Sequence, residues 1–246
     1  GALTGTDIGE GRMSEVEEIA ATTYASVFTQ ESMTGTRILI SAGGTREPLD
    51  PVRFLGNRSS GAMGIALAAQ AQARGAEVTL VVGHIEVEIP SGVKVVFAGT
   101  ALEMRDALIT EAPAHDVVIM SAAVADYRPE VRSTKKLKKM LMGSTPVINL
   151  VQNPDILSEL GHGEHAYKLI GFAAETETEP QALVDLARQK LESKKCDVII
   201  VNSVSDSEGF GDVSTTVHVV GVGGRIIDTA TGSKASVAAA ILNAIS

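Results

Sequence analysis

The sequence contains one cysteine, no tryptophan, three tyrosines and five phenylalanines among its 246 residues. A single cysteine, Cys196, excludes an internal disulfide bond and is typical of a reducing compartment. No secretory signal is recognisable in the given residues, and on the cysteine usage we expect a cytoplasmic protein. The chain has no run of about eighteen apolar residues and therefore no predicted membrane-spanning helix. A formal net charge of −9 and few aromatic side chains argue against a nucleic-acid surface, which would be basic and would offer rings for stacking.

From Arg37 onward, apolar runs that predict strands alternate with stretches that predict helices. This alternation, in a chain that is 44% hydrophobic, predicts an α/β protein with a Rossmann-like, doubly wound, mainly parallel sheet and helices on both faces. The predicted strands are RILISAG, EVTLVV, VKVVFAG, DVVIMSAAV, PVINLV, YKLIGFAAE and CDVIIVN. The segment TTVHVVGVGGRIID predicts a C-terminal β-hairpin that turns at Gly223-Gly224, and SKASVAAAILNAI predicts a closing helix.

Local signals predict where some helices and loops begin. The segment Thr100–Glu103 has the pattern of a capping box that opens a helix. The tripeptide Asn153-Pro154-Asp155 has the order of an N-cap, a proline at the first helical position and an acid in the first turn. The segment from Asp126 to Ser144 lacks a periodic apolar face and carries six Lys and Arg residues, so we predict a long mobile loop there.

Residues 1–33 do not follow the alternation of strands and helices. They combine a glycine-rich start, one segment that predicts a helix, SEVEEIAATTYASVF, and a linker. We therefore divide the chain into a tail and linker at 1–33, without activity of its own, and one domain at 34–246.

The stretch 37–74 combines a predicted buried strand, a glycine-bearing loop and a helix of small residues. The first turn of a helix has amides without intrahelical partners and a partial positive charge, and both favour an anion. We expect Ser59 or Ser60 to cap this helix, and Gly61 and Gly64 to let an anion approach the main chain. Side-chain donors lie beside it at Arg53, Asn57 and Arg58. The stretch therefore predicts a phosphate-binding site.

The alternative is that this loop only connects a strand and a helix in a Rossmann-type unit. An ordinary dinucleotide fingerprint joins strand and helix directly through G-x-G-x-x-G and places an acid after the next strand. Here fourteen residues separate Gly44 from Ser59, and the next strand ends in Gly83-His84. Long loops inside compact domains are usually functional, which favours a binding loop.

Several separate motifs occur in the order in which one known family has them: SAGGTREPLDPVRFLGNRSSGAMG, SAAVADYRP and KLKK. With them the chain, over about Thr36 to Ser246, resembles phosphopantothenate–cysteine ligase (phosphopantothenoylcysteine synthetase) of the bacterial, CTP-using type. The resemblance implies a ligase of coenzyme A biosynthesis that joins 4′-phosphopantothenate to L-cysteine. It also implies a homodimer and a native fusion behind a flavin-dependent decarboxylase domain. The segment DIGEGRMSEVEEI of this chain resembles the last segment of that domain.

The resemblance also implies a chemical route. Attack of the 4′-phosphopantothenate carboxylate on the α-phosphorus of CTP gives an acyl-cytidylate and releases pyrophosphate. The cysteine amine then attacks the acyl carbon, and CMP leaves. A Mg²⁺ ion is expected on the triphosphate, held chiefly by phosphates and water, and its protein ligands are unknown.

Residue roles carry over from the family position by position. The implied catalytic residues are Asn57, which handles the acyl-cytidylate, Lys136, which belongs to a lysine flap, and Arg53, which reaches the pocket of the other subunit. The implied phosphopantothenate-binding residues are Gly43, Arg53, Asn57, Ser59, Gly61, Gly64 and Phe210. The implied nucleotide-binding residues are Ser121, Ala122, Ala123, Asp126, Lys136, Asn153, Pro154, Asp155, Ile156, Phe172, Lys190 and Lys194.

Each nucleotide-binding assignment has a simpler structural alternative. Asp126 could cap the residues that follow it, and the lysines at 135–139 could be a solvated charge run. Lys190 and Lys194 lie four apart, hence on one helix face, where cations suit the helix C-terminus. Phe172 could be an ordinary core residue. In favour of a site, several of these positions follow predicted strands, where open α/β sheets bind their ligands.

Two other classes of function remain open from the sequence. One is a nicotinamide- or flavin-dependent oxidoreductase on the same Rossmann-type sheet, and the other is a nucleotide sensor without catalysis. The five histidines have no convincing metal-ligand spacing, and no G-x-S-x-G motif supports a serine hydrolase.

Overall fold

The computed structural model describes residues 32–138, 144–204 and 214–246. The strands are β1 (Arg37–Ala42), β2 (Arg46–Pro48), β3 (Phe54–Gly56), β4 (Glu77–Val82), β5 (Lys94–Phe97), β6 (Val117–Met120), β7 (Tyr127–Pro129), β8 (Leu150–Gln152), β9 (Lys168–Glu175), β10 (Val198–Ser203), β11 (Thr215–Gly221) and β12 (Arg225–Gly232). The helices are α1 (Ala62–Ala73), α2 (Ala101–Glu111), α3 (Ile156–His162), α4 (Pro180–Lys194) and α5 (Lys234–Ile245). The predicted tail and its helix, at 1–31, lie outside the described residues.

An eight-stranded sheet forms the centre, in the order β12-β11-β10-β9-β6-β1-β4-β5. The strands from β10 through β5 in this order pair in parallel, and β11 and β12 add an antiparallel hairpin at one edge. The hairpin turns through Val222–Gly224, as predicted. The Rossmann-like, mainly parallel sheet with a C-terminal hairpin is thus confirmed.

Helices cover both faces of the sheet because its central strands are apolar on both sides. In β1, five of the six residues are buried. The helices α1 and α5 pack on one face, with Leu67 and Ile241 fully buried. The helices α2, α3 and α4 pack on the other, where Met104 and Leu160 enter the core.

Helix starts follow local chemistry at one predicted position and depart from it at another. Thr100 and Glu103 form the predicted capping box at the start of α2. At α3 the predicted cap is wrong: the Asp155 side chain accepts from the Ser158 amide and is the N-cap. Asn153 instead is buried and donates to the Ala125 carbonyl at 2.7 Å. A tertiary hydrogen bond has taken the side chain that local propensity assigned to the helix.

Two short antiparallel hairpins stand outside the main sheet. One pairs β2 with β3, and the other pairs β7 with β8. The predicted loop at 126–144 is therefore wrong over Tyr127–Pro129, which pair with Leu150–Gln152. Three-residue strands are too short for an alternating pattern to show, and their partner lies far along the chain. Residues 130–138 are irregular, as expected.

Within the described ranges, none of the helices combines the length and the apolar character that crossing a bilayer requires.

Candidate functional site

A cleft of about 530 Å³ opens at the carboxyl ends of the central strands. From β1 the chain continues outward through β4 and β5, and then returns to β6 on the other side of β1. The strand order therefore reverses between β1 and β6, which is where open α/β sheets bind ligands. The cleft is lined by the loop before α1, the loop after β6, the start of α3 and the C-terminal half of α4.

One end of the cleft is the N-terminus of α1. Its N-cap is Gly61, with φ of 78° and no side-chain cap, so the predicted capping by Ser59 or Ser60 is wrong. Each of these hydroxyls accepts only a long contact, 3.4 Å, from an amide two residues on. Within the described chain the Met63 and Gly64 amides have no hydrogen-bond partner, and both residues line the cleft. Open amides and the helix dipole make this end a site for an anion.

The glycines around this helix allow close packing. A Cβ on Gly64 would lie 2.6 Å from Ser121 Oγ and 2.7 Å from Ala42 Cβ. Gly43, with φ of 85°, lies behind the cleft lining, where a Cβ would meet the His84 carbonyl. The missing side chain of Gly64 therefore lets α1 pack against β1, and our expectation that Gly64 lets an anion approach the main chain stays a prediction.

The proposed catalytic residues are only partly brought together. Asn57 lines the cleft and donates from Nδ2 to the Val124 carbonyl at 3.1 Å. Arg53 and Lys136 do not line the cleft of their own chain. Arg53 instead pairs with Asp50 at 2.6 Å, and Lys136 is exposed.

The middle of the cleft is formed by the loop after β6 and the residues before α3. The segments Ser121–Asp126 and Asn153–Ile156 both line it, as the sequence predicts. Asn153 joins them, because its amide donates to the Asp126 carbonyl at 2.8 Å. In the described chain the Asp126 carboxylate has no hydrogen bond or ion pair and is exposed. The alternative that it caps its neighbours is thus wrong, and the carboxylate is available to a ligand.

The far end of the cleft carries two lysines from α4. Lys190 and Lys194 line it from one face of the helix, as their spacing predicts. Lys190 pairs with Glu175 at 2.7 Å, and Lys194 pairs with Asp155. Both cations are therefore held by carboxylates at the cleft wall. Phe172 lies within β9, half-buried, and also lines the cleft.

Sequence reasoning missed several lining residues: Leu157, Ala174, Val204, Thr215, Val217 and Lys234. It also missed the Glu175 carboxylate that holds Lys190. Glu175 is the last residue of β9, so the rule that ligand sites follow the carboxyl ends of strands could have found it. Thr215 and Lys234 come from the hairpin and from α5, whose approach to the cleft has no local signal.

Some predictions lie beside or outside this site. Phe210 lies outside the described residues, as does Lys139, the last residue of the lysine run. Cys196 is buried, and burial raises the pKa of its thiol to about 12, in agreement with a structural role.

Comparison with known proteins finds a matching family and similar sequences. Residues 33–246 match the family described as the DNA/pantothenate metabolism flavoprotein C-terminal domain. The chain is 41% identical to the coenzyme A biosynthesis bifunctional protein CoaBC of Mycobacterium tuberculosis (strain H37Rv), over 100% of this chain and 61% of that protein. It is 43% identical to CoaBC of Vibrio cholerae, over 83% of this chain and 50% of that protein. The chain therefore spans less than two thirds of the length of these relatives.

A solved structure has the same fold. The crystal structure of the C-terminal domain of a CoaBC superimposes with a TM-score of 0.71 at 37% sequence identity, over 88% of this chain and 96% of that one. The pairwise similarity thus extends over nearly the whole of a separately crystallised domain.

Proposed function

The chain belongs to the family of the DNA/pantothenate metabolism flavoprotein C-terminal domain, and we propose that it joins 4′-phosphopantothenate to L-cysteine in coenzyme A biosynthesis, in the cytoplasm. The observation that carries the proposal is the polarity of one cleft: an uncapped helix N-terminus at one end and two lysines at the other. Such a cleft suits two phosphorylated molecules whose reactive ends meet in the middle. The names of the bifunctional relatives support the same pathway.

The nucleotide is CTP, as the resemblance to the bacterial ligases indicates. The carboxylate oxygen of 4′-phosphopantothenate bonds to the α-phosphorus, the bond to the bridging oxygen breaks, and pyrophosphate leaves. The cysteine amine then bonds to the acyl carbon, CMP leaves, and the amine loses a proton. Most of the catalysis is positioning and charge neutralisation, as in other phosphoryl transfers.

At the α1 end, the Met63 and Gly64 amides bind the phosphate of 4′-phosphopantothenate. Asn57 lines the same side and, as an amide donor, steadies the oxyanion that forms when cysteine adds. Its bond to the Val124 carbonyl fixes its side chain at the wall. These contacts leave the carboxylate of the substrate pointing along the cleft.

At the α4 end, Lys190 and Lys194 bind the triphosphate, and Asp126 and Phe172 contact the nucleoside. Lys136, in the segment after β7, neutralises negative charge on the leaving pyrophosphate. A cover of lysines over the cleft also keeps water from the acyl-cytidylate. The chain has a net charge of −9, so cations concentrated at this place are not a general property of its surface.

A Mg²⁺ ion accompanies the triphosphate. Among the residues that the structure describes, no three His, Cys, Asp or Glu side chains are grouped to hold a metal. Phosphate oxygens and water are the main ligands of this ion. The ion neutralises charge on the phosphates.

The active form is a homodimer in which Arg53 serves the cleft of the partner subunit. Arg53 lies outside the cleft lining of its own chain. Exposed apolar side chains concentrate on the two small hairpins and the residues next to them: Val52, Phe54, Leu55, Tyr127, Val131, Val147, Ile148 and Leu150. A surface of this kind is typical of an interface. In the longer native protein, residues 1–33 are the end of the decarboxylase domain and the linker.

Mixing two inactive variants tests whether Arg53 acts across the interface. Co-expressed Arg53→Gln and Asn57→Asp subunits should recover about a quarter of wild-type activity, because half of the dimers are mixed and each has one intact site. Each variant expressed alone provides the control. No recovery in dimers proven to be mixed would place Arg53 in the cleft of its own chain.

One coupled assay tests the function itself. Pyrophosphate release should require CTP and 4′-phosphopantothenate, and CMP release should also require cysteine, with ATP a poor substitute. Pyrophosphate release that does not depend on 4′-phosphopantothenate would refute the assignment. Binding of CTP without turnover would indicate a sensor, and binding of NAD(P)H or a yellow protein would indicate an oxidoreductase.

A further inference from the structure

Asp50 is a buried carboxylate at the turn between β2 and β3, outside the cleft. Its side chain has no solvent exposure. Oδ1 accepts from the Val52 and Arg53 amides, each at 2.8 Å. Oδ2 accepts from the Arg53 guanidinium at 3.0 and 2.6 Å, and from the Leu137 amide at 3.1 Å. The two oxygens therefore have separate tasks: Oδ1 accepts from main-chain amides of the turn, and Oδ2 holds the Arg53 side chain and the Leu137 main chain.

Both ends of the segment 133–137 are tied to this turn. At one end, the Ser133 amide donates to the Leu49 carbonyl at 3.0 Å. At the other, Leu137 is held twice, since its carbonyl also accepts from Arg53 Nη2 at 2.8 Å. Lys136 lies between these anchors, next to the residue whose amide and carbonyl are both bound. Asp50 thus fixes the main chain next to Lys136, although the Lys136 side chain is exposed.

We propose that Asp50 is a positioning residue that places Lys136 for pyrophosphate release by holding the Leu137 main chain and the Arg53 guanidinium. This inference rests on the proposed ligase function and adds a residue that does not touch either substrate. It also explains why a carboxylate occupies a fully enclosed position at the turn of a small hairpin.

Only an ionised carboxylate satisfies this arrangement. All five hydrogen bonds to Asp50 come from N–H donors, so the position requires an acceptor at every contact. The hydrogen-bonded Arg53 guanidinium holds the pKa of the Asp50 carboxyl well below its usual range. Asn at this position would keep an acceptor for the turn amides, but its NH₂ would face the Leu137 amide and Arg53.

The test begins with Asp50→Asn, which keeps the turn and removes the contacts of Oδ2. We expect kcat for pyrophosphate release to fall about 10- to 100-fold, the cost of misplacing a catalytic group by roughly 1 Å. KM for CTP should change by less than about threefold, because Asp50 does not line the cleft. Amide hydrogen exchange at Leu137 should become faster. The control is Asp185→Asn, which removes the carboxylate of another Asp–Arg pair three residues apart and should change neither quantity.

A combined variant separates positioning from general stability. If Asp50 acts through Lys136 and Arg53, adding Asp50→Asn to a protein that already carries Lys136→Gln and Arg53→Gln should cause no further loss of kcat. Losses that multiply, or a kcat for Asp50→Asn equal to that of the wild type, would overturn the proposal. The exchange measurement needs no activity, so it keeps the two claims apart. A wild-type protein that releases no pyrophosphate refutes the ligase function, whereas unchanged exchange at Leu137 in Asp50→Asn refutes the tether.

Discussion

The substitution Gly64→Ala tests whether the α1 N-terminus binds the substrate phosphate. The new methyl group would lie 2.7 Å from Ala42 Cβ and 3.1 Å from Ala42 Cα. Favourable carbon–carbon contacts need about 3.5–4.0 Å, so the start of α1 must move away by roughly 1 Å. The methyl group would also lie 2.6 Å from the Ser121 hydroxyl. Neither neighbour moves aside easily, because Ala42 belongs to a central strand and the Ser121 hydroxyl donates a hydrogen bond to the Ser41 carbonyl.

The effect on stability should be small. Overpacking costs about 1–3 kcal/mol, and replacing glycine by alanine in a helix returns about 1 kcal/mol. The net loss of about 0–2 kcal/mol corresponds to a fall in Tm of at most about 8 °C for a chain of this size. The variant should therefore remain folded at assay temperature, which thermal unfolding followed by circular dichroism would verify.

The effect on binding should be large and selective. A shift of roughly 1 Å in the amides of the first turn should raise KM for 4′-phosphopantothenate about 10- to 100-fold. KM for CTP should change little, because the lysines of α4 lie at the other end of the cleft. Gly163→Ala is the matched control, since its methyl would be 3.4 Å from the nearest atom and its φ is −71°. An unchanged KM for 4′-phosphopantothenate in a folded Gly64→Ala protein would refute this phosphate site.

Three further substitutions test other parts of the molecule. Asn57→Asp should release pyrophosphate but block cysteine addition, so acyl-cytidylate should accumulate in quenched reactions; a full ligation rate would contradict the assignment. Lys136→Gln should lose most turnover with an unchanged Tm, and wild-type turnover with CTP would exclude its role. The Arg37 guanidinium lowers the pKa of the Asp116 carboxyl to about 2, so this pair stabilises the fold above about pH 4 and loses its effect as the pH falls towards 2. Asp116→Asn should therefore lose less Tm on acidification than the wild type, and an identical pH profile would disprove this.

Local patterns predicted the central part of the fold. The buried run at β1, the capping box at α2 and the small-residue helix α1 each depend on interactions within a few residues, which sequence records directly. Asn153 failed as a helix cap because a carbonyl 28 positions away competes for its side chain. The β7–β8 hairpin was not predicted because its pairing joins residues 21 to 25 positions apart over three-residue strands.

The site was predictable to a similar degree. Resemblance and the carboxyl-end rule together found both walls of the cleft, including Asn57 and the α4 lysines. The two ion pairs themselves were not predicted: Asp155 was named only as a nucleotide-binding residue and Glu175 was not named, because a pair between two elements leaves no fixed spacing in the sequence. The same applies to Asp50, whose partner Leu137 lies 87 positions away.

In the proposed function, the ion pairs of Lys190 with Glu175 and of Lys194 with Asp155 affect how the triphosphate binds. Before the nucleotide arrives, each ammonium group already has an anionic neighbour, so binding is an exchange of one anion for another. The measured affinity then reports the difference between two pairings. Added salt weakens both pairings, and nucleotide affinity should therefore depend less steeply on ionic strength than two unpaired lysines would predict.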